Sequence, residues 1–228
     1  MYKVMAIFGA RPEAIKLFPV IHALKAQKKI TCEVLVSAQH RQMLDQVLEI
    51  SSIVPDHDLD IMQPGQTLDA LTARLLECIG KVLDTAKPDR VIVQGDTATA
   101  MVGALAAYYR KIPVSHVEAG LRSYNIYHPW PEEVNRKIIG NIADQHFAPT
   151  SVSAAALKAE AIPDDRIYVT GNTVIDALNW VTDRILRKPE LVNGLAELEC
   201  KFVGKKSSGL QRTAERILAM AWQILQRP

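Results

Sequence analysis

The sequence predicts an α/β fold, a Rossmann-like parallel sheet with helices on both of its faces. Short apolar runs rich in β-branched residues alternate along the chain with segments whose apolar residues recur at helical spacing. This alternation is typical of right-handed βαβ crossovers, which place the strands side by side in parallel. Some runs, such as residues 91–93, are apolar at every position, as expected for strands buried on both faces.

In the first half of the chain, apolar runs predict the strands, and apolar residues three or four positions apart predict the helices. Pro12 suits the first turn of the first helix. The helix over residues 67–85 is long and amphipathic, whereas the next one is rich in alanine. The predicted elements are, in order, strand 3–8, helix 12–27, strand 33–37, helix 40–50, weak strand 58–62, helix 67–85, strand 90–94 and helix 97–109.

The same alternation continues in the second half, where a loop with Pro129 and Pro131 leads into a helix. The predicted elements are strand 113–118, helix 132–143, strand 146–148, helix 151–160, strand 167–170 and helix 173–186. Ligands of such sheets bind outside the carboxyl ends of the strands. The residues that follow each strand are therefore the candidates for a functional site.

Composition excludes several classes of protein. The chain has 228 residues, of which 48% are hydrophobic and 23% charged, which is typical of a globular chain. Its apolar runs stay shorter than the roughly 20 residues that a membrane span needs, so we expect no membrane partner. The three cysteines, Cys32, Cys78 and Cys200, are scattered and odd in number, which argues against a disulfide framework or a metal site. They favour a reducing, cytoplasmic location.

The net charge of +2 is unevenly distributed. Residues 201–228 hold six basic side chains and one acidic one, a surplus of five that leaves residues 1–200 at −3. The basic residues are Lys201, Lys205, Lys206, Arg212, Arg216 and Arg227. A mildly acidic body argues against nucleic acid as a partner.

Two cations follow the first predicted strand. Arg11 lies near the start of the first helix, and Lys16 lies about one turn further along. The backbone N–H groups and the dipole of a helix N-terminus favour an anion. Either these two side chains hold a phosphate, or they are solvated helix charges. The loop lacks the spacing of a dinucleotide or nucleoside-triphosphate motif.

Carboxylates follow other strands. Asp96 is either the N-cap of the next helix or a site carboxylate. Glu118 stands at the end of its strand and is the stronger site candidate, whereas His116 on the same strand face is expected near the core. Glu132 and Glu133 begin a helix, where they either complement its dipole or reach the same edge of the sheet. Such a set suits an anionic substrate and proton transfers.

Seven segments together resemble one family, the non-hydrolysing UDP-N-acetylglucosamine 2-epimerases of bacteria. The resemblance runs in order over about residues 3–188, and HVEAGLR and PWPEEVNR are its most specific segments. The segments are GARPEAIK (9–16), AQHRQMLDQVL (38–48), IMQPGQ (61–66), GDT (95–97), HVEAGLR (116–122), PWPEEVNR (129–136) and GNTVIDAL (171–178).

The resemblance implies a GT-B architecture, in which a nucleotide sugar binds between two Rossmann-like domains. The family forms homodimers, uses no cofactor or metal, and interconverts UDP-N-acetylglucosamine and UDP-N-acetylmannosamine for surface-polysaccharide synthesis. It implies acid–base roles for three carboxylates and substrate contacts for two cations, and a second UDP-N-acetylglucosamine as activator beside three glutamines. These residues are Asp96, Glu118 and Glu132, then Arg11 and Lys16, then Gln39, Gln42 and Gln66.

The resemblance fades near Lys188 and stops by Lys206. We therefore expect an amino-terminal domain over residues 1–188 and a divergent tail over residues 189–228. Reading the possible codons of residues 212–224 one base earlier permits a histidine-arginine-arginine stretch like the family's next motif, so we interpret the tail as out of frame. The uridine and diphosphate sites of the family lie in its carboxyl half, so we expect a truncated chain without epimerase activity.

Two other functions stay open from the sequence. One is a non-catalytic remnant, such as a binding module or an inactive subunit of an oligomer. The other is the amino-terminal half of a different GT-B enzyme, such as a glycosyltransferase. The segments HVEAGLR and PWPEE argue against the second alternative.

Overall fold

The computed structural model describes residues 1–38, 41–61 and 65–187 of the chain. The described residues fall into two units that separate between Val174 and Ile175. The expected domain boundary at residue 188 and the expected tail over residues 189–228 stay predictions, because residues 188–228 lie outside the described residues.

The first unit is built on a parallel sheet of seven strands in the order β3-β2-β1-β4-β5-β6-β7. Every described strand pair is parallel. The strands are β1 (Tyr2–Phe8), β2 (Ile30–Val36), β3 (His57–Asp58), β4 (Arg90–Gln94), β5 (Val114–Val117), β6 (Gln145–Ala148) and β7 (Ile167–Val169). The order reverses between β1 and β4, which is where ligands of such sheets bind.

Helices connect successive strands, and crossovers between parallel strands are right-handed in nearly all proteins. Since the order of the strands runs in opposite directions on either side of β1, such crossovers place the first two helices on one face of the sheet and the next four on the other. The helices are α1 (Arg11–Lys25), α2 (Arg41–Ser51), α3 (Leu68–Ala86), α4 (Ala98–Tyr109), α5 (Glu132–Ile142), α6 (Ser151–Ala159) and α7 (Thr173–Arg187). None of the described helices is long and apolar enough to cross a membrane.

One large part of the core lies between the sheet and the layer formed by α3, α4 and α5. Leu75, Ile79 and Leu83 of the amphipathic helix α3 are almost fully buried there against Val93 and other strand residues. Four alanines of α4 are buried as well, and their small side chains bring this helix close to the sheet; they are Ala100, Ala104, Ala106 and Ala107. This packing of helices against the sheet fixes the carboxyl ends of the central strands in place.

The predicted elements are all found among the described residues, and the third strand differs most. We expected this strand over residues 58–62, but β3 covers only His57–Asp58. Asp60 has a φ of 42°, and the Asp58 side chain accepts a hydrogen bond from its N–H. The register with β2 therefore covers only His57 and Asp58, and residues 62–64 lie outside the described residues.

Candidate active site

The predicted site residues gather where β4 and β5 end. Gln94 of β4 is in register with Val117 of β5, and the Gly95 N–H donates to the Val117 carbonyl. Asp96 and Glu118 therefore follow adjacent strands at the same edge of the sheet, which we call the carboxyl edge. A short turn follows Glu118, in which Gly120 has a φ of 87° and leaves no room for a Cβ against the Ser153 carbonyl.

Glu118 lies between a cation and an amide. The Lys16 Nζ lies 2.8 Å and 2.6 Å from the two Glu118 carboxylate oxygens, and Gln94 Nε2 donates to Oε2 at 2.5 Å. Glu118 has a φ of 64°, a left-handed conformation that costs a non-glycine residue energy and is frequent at functional sites. Lys16, expected beside a phosphate, is thus paired with a candidate acid–base group.

Asp96 has a separate set of partners on α5. Its Oδ2 accepts from Arg136 Nε at 2.8 Å and lies 2.6 Å from a second guanidinium nitrogen. The Asn135 amide donates to the Asp96 backbone carbonyl at 2.8 Å. The N-cap of α4 is Thr97, whose hydroxyl accepts from the Ala100 N–H. The structure thus removes capping as the role of Asp96.

The two glutamates that begin α5 differ completely in environment. Glu133 is fully buried and accepts from the Ser123 and Tyr124 N–H groups and from Arg136. Burial alone would raise the pKa of Glu133, but these donors hold it below its ordinary value. Among the described residues, Glu132 has no hydrogen-bonding partner and is half-buried. Of these two glutamates, Glu132 is therefore the one whose carboxylate is available to a ligand.

The start of α1 is occupied by a carboxylate of its own. Glu13 is 1% exposed, and its Oε2 accepts from the Gly9 and Ala10 N–H groups at 3.0 Å and 2.7 Å. Its Oε1 accepts from the Thr97 hydroxyl. Burial raises the pKa of Glu13 to about 7, although these hydrogen bonds lower it. An anion near the exposed Arg11 therefore depends on side-chain cations more than on these N–H groups.

His116 is a core residue, as the sequence indicated. It is 1% exposed, and burial lowers its pKa to about 3, so the ring is neutral. A neutral ring must donate from Nε2 to the Gly95 carbonyl, which lies 2.7 Å away. This bond fixes the peptide that precedes Asp96, so His116 helps to hold the backbone of the carboxyl edge in place.

The predicted activator residues are described only in part. Gln39 lies outside the described residues, and Gln42 is placed in α2 without a described side chain. Gln66 accepts from the Arg74 guanidinium, which also donates to the Ile61 carbonyl. The activator site stays a prediction.

Sequence reasoning missed Gln94 and Arg136 as partners of the carboxylates. Both had a signal in the sequence. Gln94 is a polar residue at the end of an apolar strand, and Arg136 lies four positions after Glu132, on the same face of a helix. At the carboxyl edge, Lys16 is thus paired with Glu118, and Arg136 with Asp96. Such pairs of carboxylates and cations suit proton transfer to and from an anionic ligand.

Comparison with known proteins gives a consistent result. The family model described as "UDP-N-acetylglucosamine 2-epimerase" matches residues 22–204. A curated relative of that name from Salmonella typhimurium is 56% identical over 195 residues, which cover 86% of this chain and 52% of the relative. The chain therefore spans about half the length of the curated relatives it matches.

Solved structures agree in fold. A UDP-GlcNAc 2-epimerase from Neisseria meningitidis, bound to UDP-GlcNAc, matches with a TM-score of 0.81 and 47% identity, over 86% of this chain and 54% of the other. The enzyme from Methanocaldococcus jannaschii, in complex with UDP-GlcNAc and UDP, matches with a TM-score of 0.78 and 39% identity, over 85% and 52%. The predicted Rossmann-like fold of an amino-terminal GT-B half is confirmed.

Proposed function

This chain belongs to the UDP-N-acetylglucosamine 2-epimerase family, and we propose that it supplies the acid–base side of an active site that interconverts UDP-N-acetylglucosamine and UDP-N-acetylmannosamine. The observation that carries the proposal is the placement of Asp96 and Glu118 at the ends of adjacent strands, each with its own cation. Two carboxylates at one edge can take a proton and return one during a single turnover.

The chemistry requires more than one acid–base group. The C2 proton of the sugar is not beside a carbonyl, so its direct removal is unfavourable. In the proposed route a carboxylate takes this proton while the bond from C1 to the diphosphate oxygen breaks, and UDP leaves with the bonding electrons. The product is 2-acetamidoglucal. Re-addition of UDP at C1, with a proton delivered to the other face of C2, completes the inversion.

We assign the proton transfers to Asp96, Glu118 and Glu132, and the diphosphate contacts to Arg11 and Lys16. The solvent exposure of Arg11 and the absence of a hydrogen-bonding partner for Glu132 among the described residues support this assignment. Cations beside the leaving diphosphate stabilise the negative charge that develops there.

Our proposals for the regulation, assembly and cellular location of this protein rest on the family resemblance. We propose that a second UDP-N-acetylglucosamine binds near Gln39, Gln42 and Gln66 as an activator. We further propose a homodimer, without a cofactor, acting in the cytoplasm. The free thiols of Cys32 and Cys78 are compatible with that reducing compartment.

The test compares two proteins in D2O by NMR at the sugar C2 of UDP-N-acetylglucosamine. One is the 228-residue chain, and the other joins its residues 1–187 to the carboxyl half of the Salmonella relative. We expect deuterium incorporation and epimer formation from the joined enzyme. For the chain assayed alone we expect none, because exposed ion pairs contribute about 0–1 kcal/mol each, against roughly 4 kcal/mol for millimolar binding.

A joined enzyme with Glu118→Gln serves as the matched control and should exchange the C2 proton about 10²- to 10⁴-fold more slowly. A joined enzyme that folds but exchanges no C2 proton contradicts the proposal. If in that case the 228-residue chain alone binds the nucleotide sugar, the chain is a binding module rather than a catalytic half.

A further inference from the structure

Glu118 is held by two side chains that differ in charge and in freedom. Lys16 contacts both carboxylate oxygens, whereas Gln94 contacts only Oε2. The Lys16 side chain is 24% exposed and that of Glu118 is 11% exposed. Gln94 is 2% exposed, at the last position of β4. The amide is therefore fixed by the sheet, while the ammonium lies on a long side chain that reaches solvent.

The two contacts respond differently to an anion at the carboxyl edge. A diphosphate carries more negative charge than one carboxylate, so it competes for the Lys16 ammonium. A neutral amide gains little from the same anion. When Lys16 turns to a diphosphate, the bond from Gln94 is the contact that continues to hold Glu118 Oε2.

We propose that Gln94 is a positioning residue for Glu118, holding its carboxylate in place at the strand end while Lys16 moves to the diphosphate of the substrate. The identity of that anion rests on the proposed function. An amide suits this position chemically, because its N–H₂ donates to a carboxylate and, after rotation, its oxygen accepts from the protonated acid. Gln94 can therefore support Glu118 before and after a proton transfer.

The first test needs no activity and uses the ¹⁵N-labelled 228-residue chain. The side-chain amide signals of Gln94 are identified by their loss in Gln94→Met. We expect one amide proton to be shifted downfield, to keep that shift in Lys16→Met, and to lose it in Glu118→Ala. Thr99→Val is the matched control, because it removes a different buried hydrogen bond, to Ser37, and should leave the signals unchanged.

The opposite pattern overturns the inference. If Lys16→Met abolishes the shift as fully as Glu118→Ala does, Lys16 rather than Gln94 holds the carboxylate. If Glu118→Ala leaves the signals unchanged, the hydrogen bond does not exist in solution.

The second test is kinetic and uses the joined enzyme. Loss of a hydrogen bond to a charged group predicts a fall in kcat of about 10- to 100-fold for Gln94→Met. KM should stay nearly constant, since the proposal gives Gln94 a contact with Glu118 and none with the substrate, whereas Lys16→Met should raise KM. Gln94→His keeps an N–H of similar reach and should restore most of kcat. A rise in KM alone for Gln94→Met would contradict a positioning role. If the joined enzyme with its natural Gln94 is inactive, the proposed function fails, and the NMR result still decides this inference.

Discussion

Two loops at the carboxyl edge are each held by a buried glutamate, and the two glutamates differ in the charge of a further hydrogen-bonding partner. Buried Glu13, in the first turn of α1, accepts from two consecutive N–H groups of the preceding loop, those of Gly9 and Ala10. Buried Glu133, in the first turn of α5, accepts from the consecutive N–H groups of Ser123 and Tyr124 in its preceding loop. Each loop is thereby anchored by a carboxylate of the helix that follows it, whereas a neighbouring charged residue of the same helix is more exposed, Arg11 in α1 and Glu132 in α5.

The two anchoring glutamates, Glu13 and Glu133, differ in their third hydrogen-bonding partner and in the direction of their pKa shift. Glu13 accepts from the neutral Thr97 hydroxyl, and burial raises its pKa to about 7. Glu133 accepts from the charged Arg136, which helps to hold its pKa below the ordinary value in spite of burial. One anchor therefore titrates near neutral pH, and the other stays ionised.

A carboxylate in a site motif is not by itself a catalytic candidate. Glu132 and Glu133 are adjacent in the sequence, yet only Glu133 is committed to holding a loop. Variants of these residues should separate loss of turnover from loss of stability.

The largest expected effect is on turnover. In the joined enzyme, Glu132→Gln should lower kcat by about 10²- to 10⁴-fold, the range for a lost acid–base group. Asp96→Asn and Glu118→Gln should do the same. Steady-state epimerase assays measure this, with thermal unfolding as the control for folding. Near-full activity in any one variant removes that residue from the mechanism.

Stability should fall most for the other glutamate of the pair. Glu133→Gln breaks a buried ion pair with Arg136 and weakens the hold on the Ser123 loop, so we expect a loss of about 3 kcal/mol in the free energy of unfolding. Urea unfolding of the 228-residue chain measures it. Glu132→Gln is the matched control and should change stability by less than about 0.5 kcal/mol. Equal losses in the two variants would refute the distinction between anchor and site residue.

A smaller effect, with a distinct pH dependence, is expected at Glu13. Its folded-state pKa of about 7 lies above the ordinary value of 4.5, so the folded chain binds this proton more tightly than the unfolded one. Its contribution to stability is therefore full below about pH 4.5 and is lost as the pH rises to about 7. The stability lost in Glu13→Gln, about 1 kcal/mol at pH 5 from weakened hydrogen bonds, should shrink towards pH 8.

Urea unfolding at several pH values tests this, with Glu133→Gln as the control whose cost stays constant between pH 6 and pH 8. The difference between wild type and variant is used because His116 acts in the opposite direction. Its pKa of about 3 means that stability is lost as the pH falls below 6.5. A cost for Glu13→Gln that grows with pH would show that Glu13 is ionised in the folded chain.

The smallest effect on stability is expected at Arg11. Because this side chain is exposed and no hydrogen bond to it is described, Arg11→Ala should change the free energy of unfolding by less than about 0.5 kcal/mol. In the joined enzyme the same variant should weaken binding of UDP, measured by titration calorimetry. Unchanged UDP affinity would remove Arg11 from the diphosphate site.

The order of the elements, and the edge of the sheet at which the candidate site lies, could be predicted from the amino-acid sequence. Apolar periodicity is a local property, so the bounds of thirteen of the fourteen predicted helices and strands lie within about three residues of the structural ones, and only β3 departs further, ending at Asp58 instead of residue 62. The rule that ligands bind at the carboxyl ends of parallel strands then placed Asp96 and Glu118 at one edge. Membership of the epimerase family was carried by segments readable in order along the chain.

Only the tertiary structure shows which partner each charged side chain at that edge contacts. Lys16 and Glu118 are 102 positions apart, and Glu13 and Thr97 are 84 apart. Helical or strand periodicity holds no information about such pairs, because they form only when loops from different strands meet. The same holds for Glu132 and Glu133, since both fit the start of a helix. Burial against the Ser123 loop selected Glu133 as the anchor and left Glu132 available.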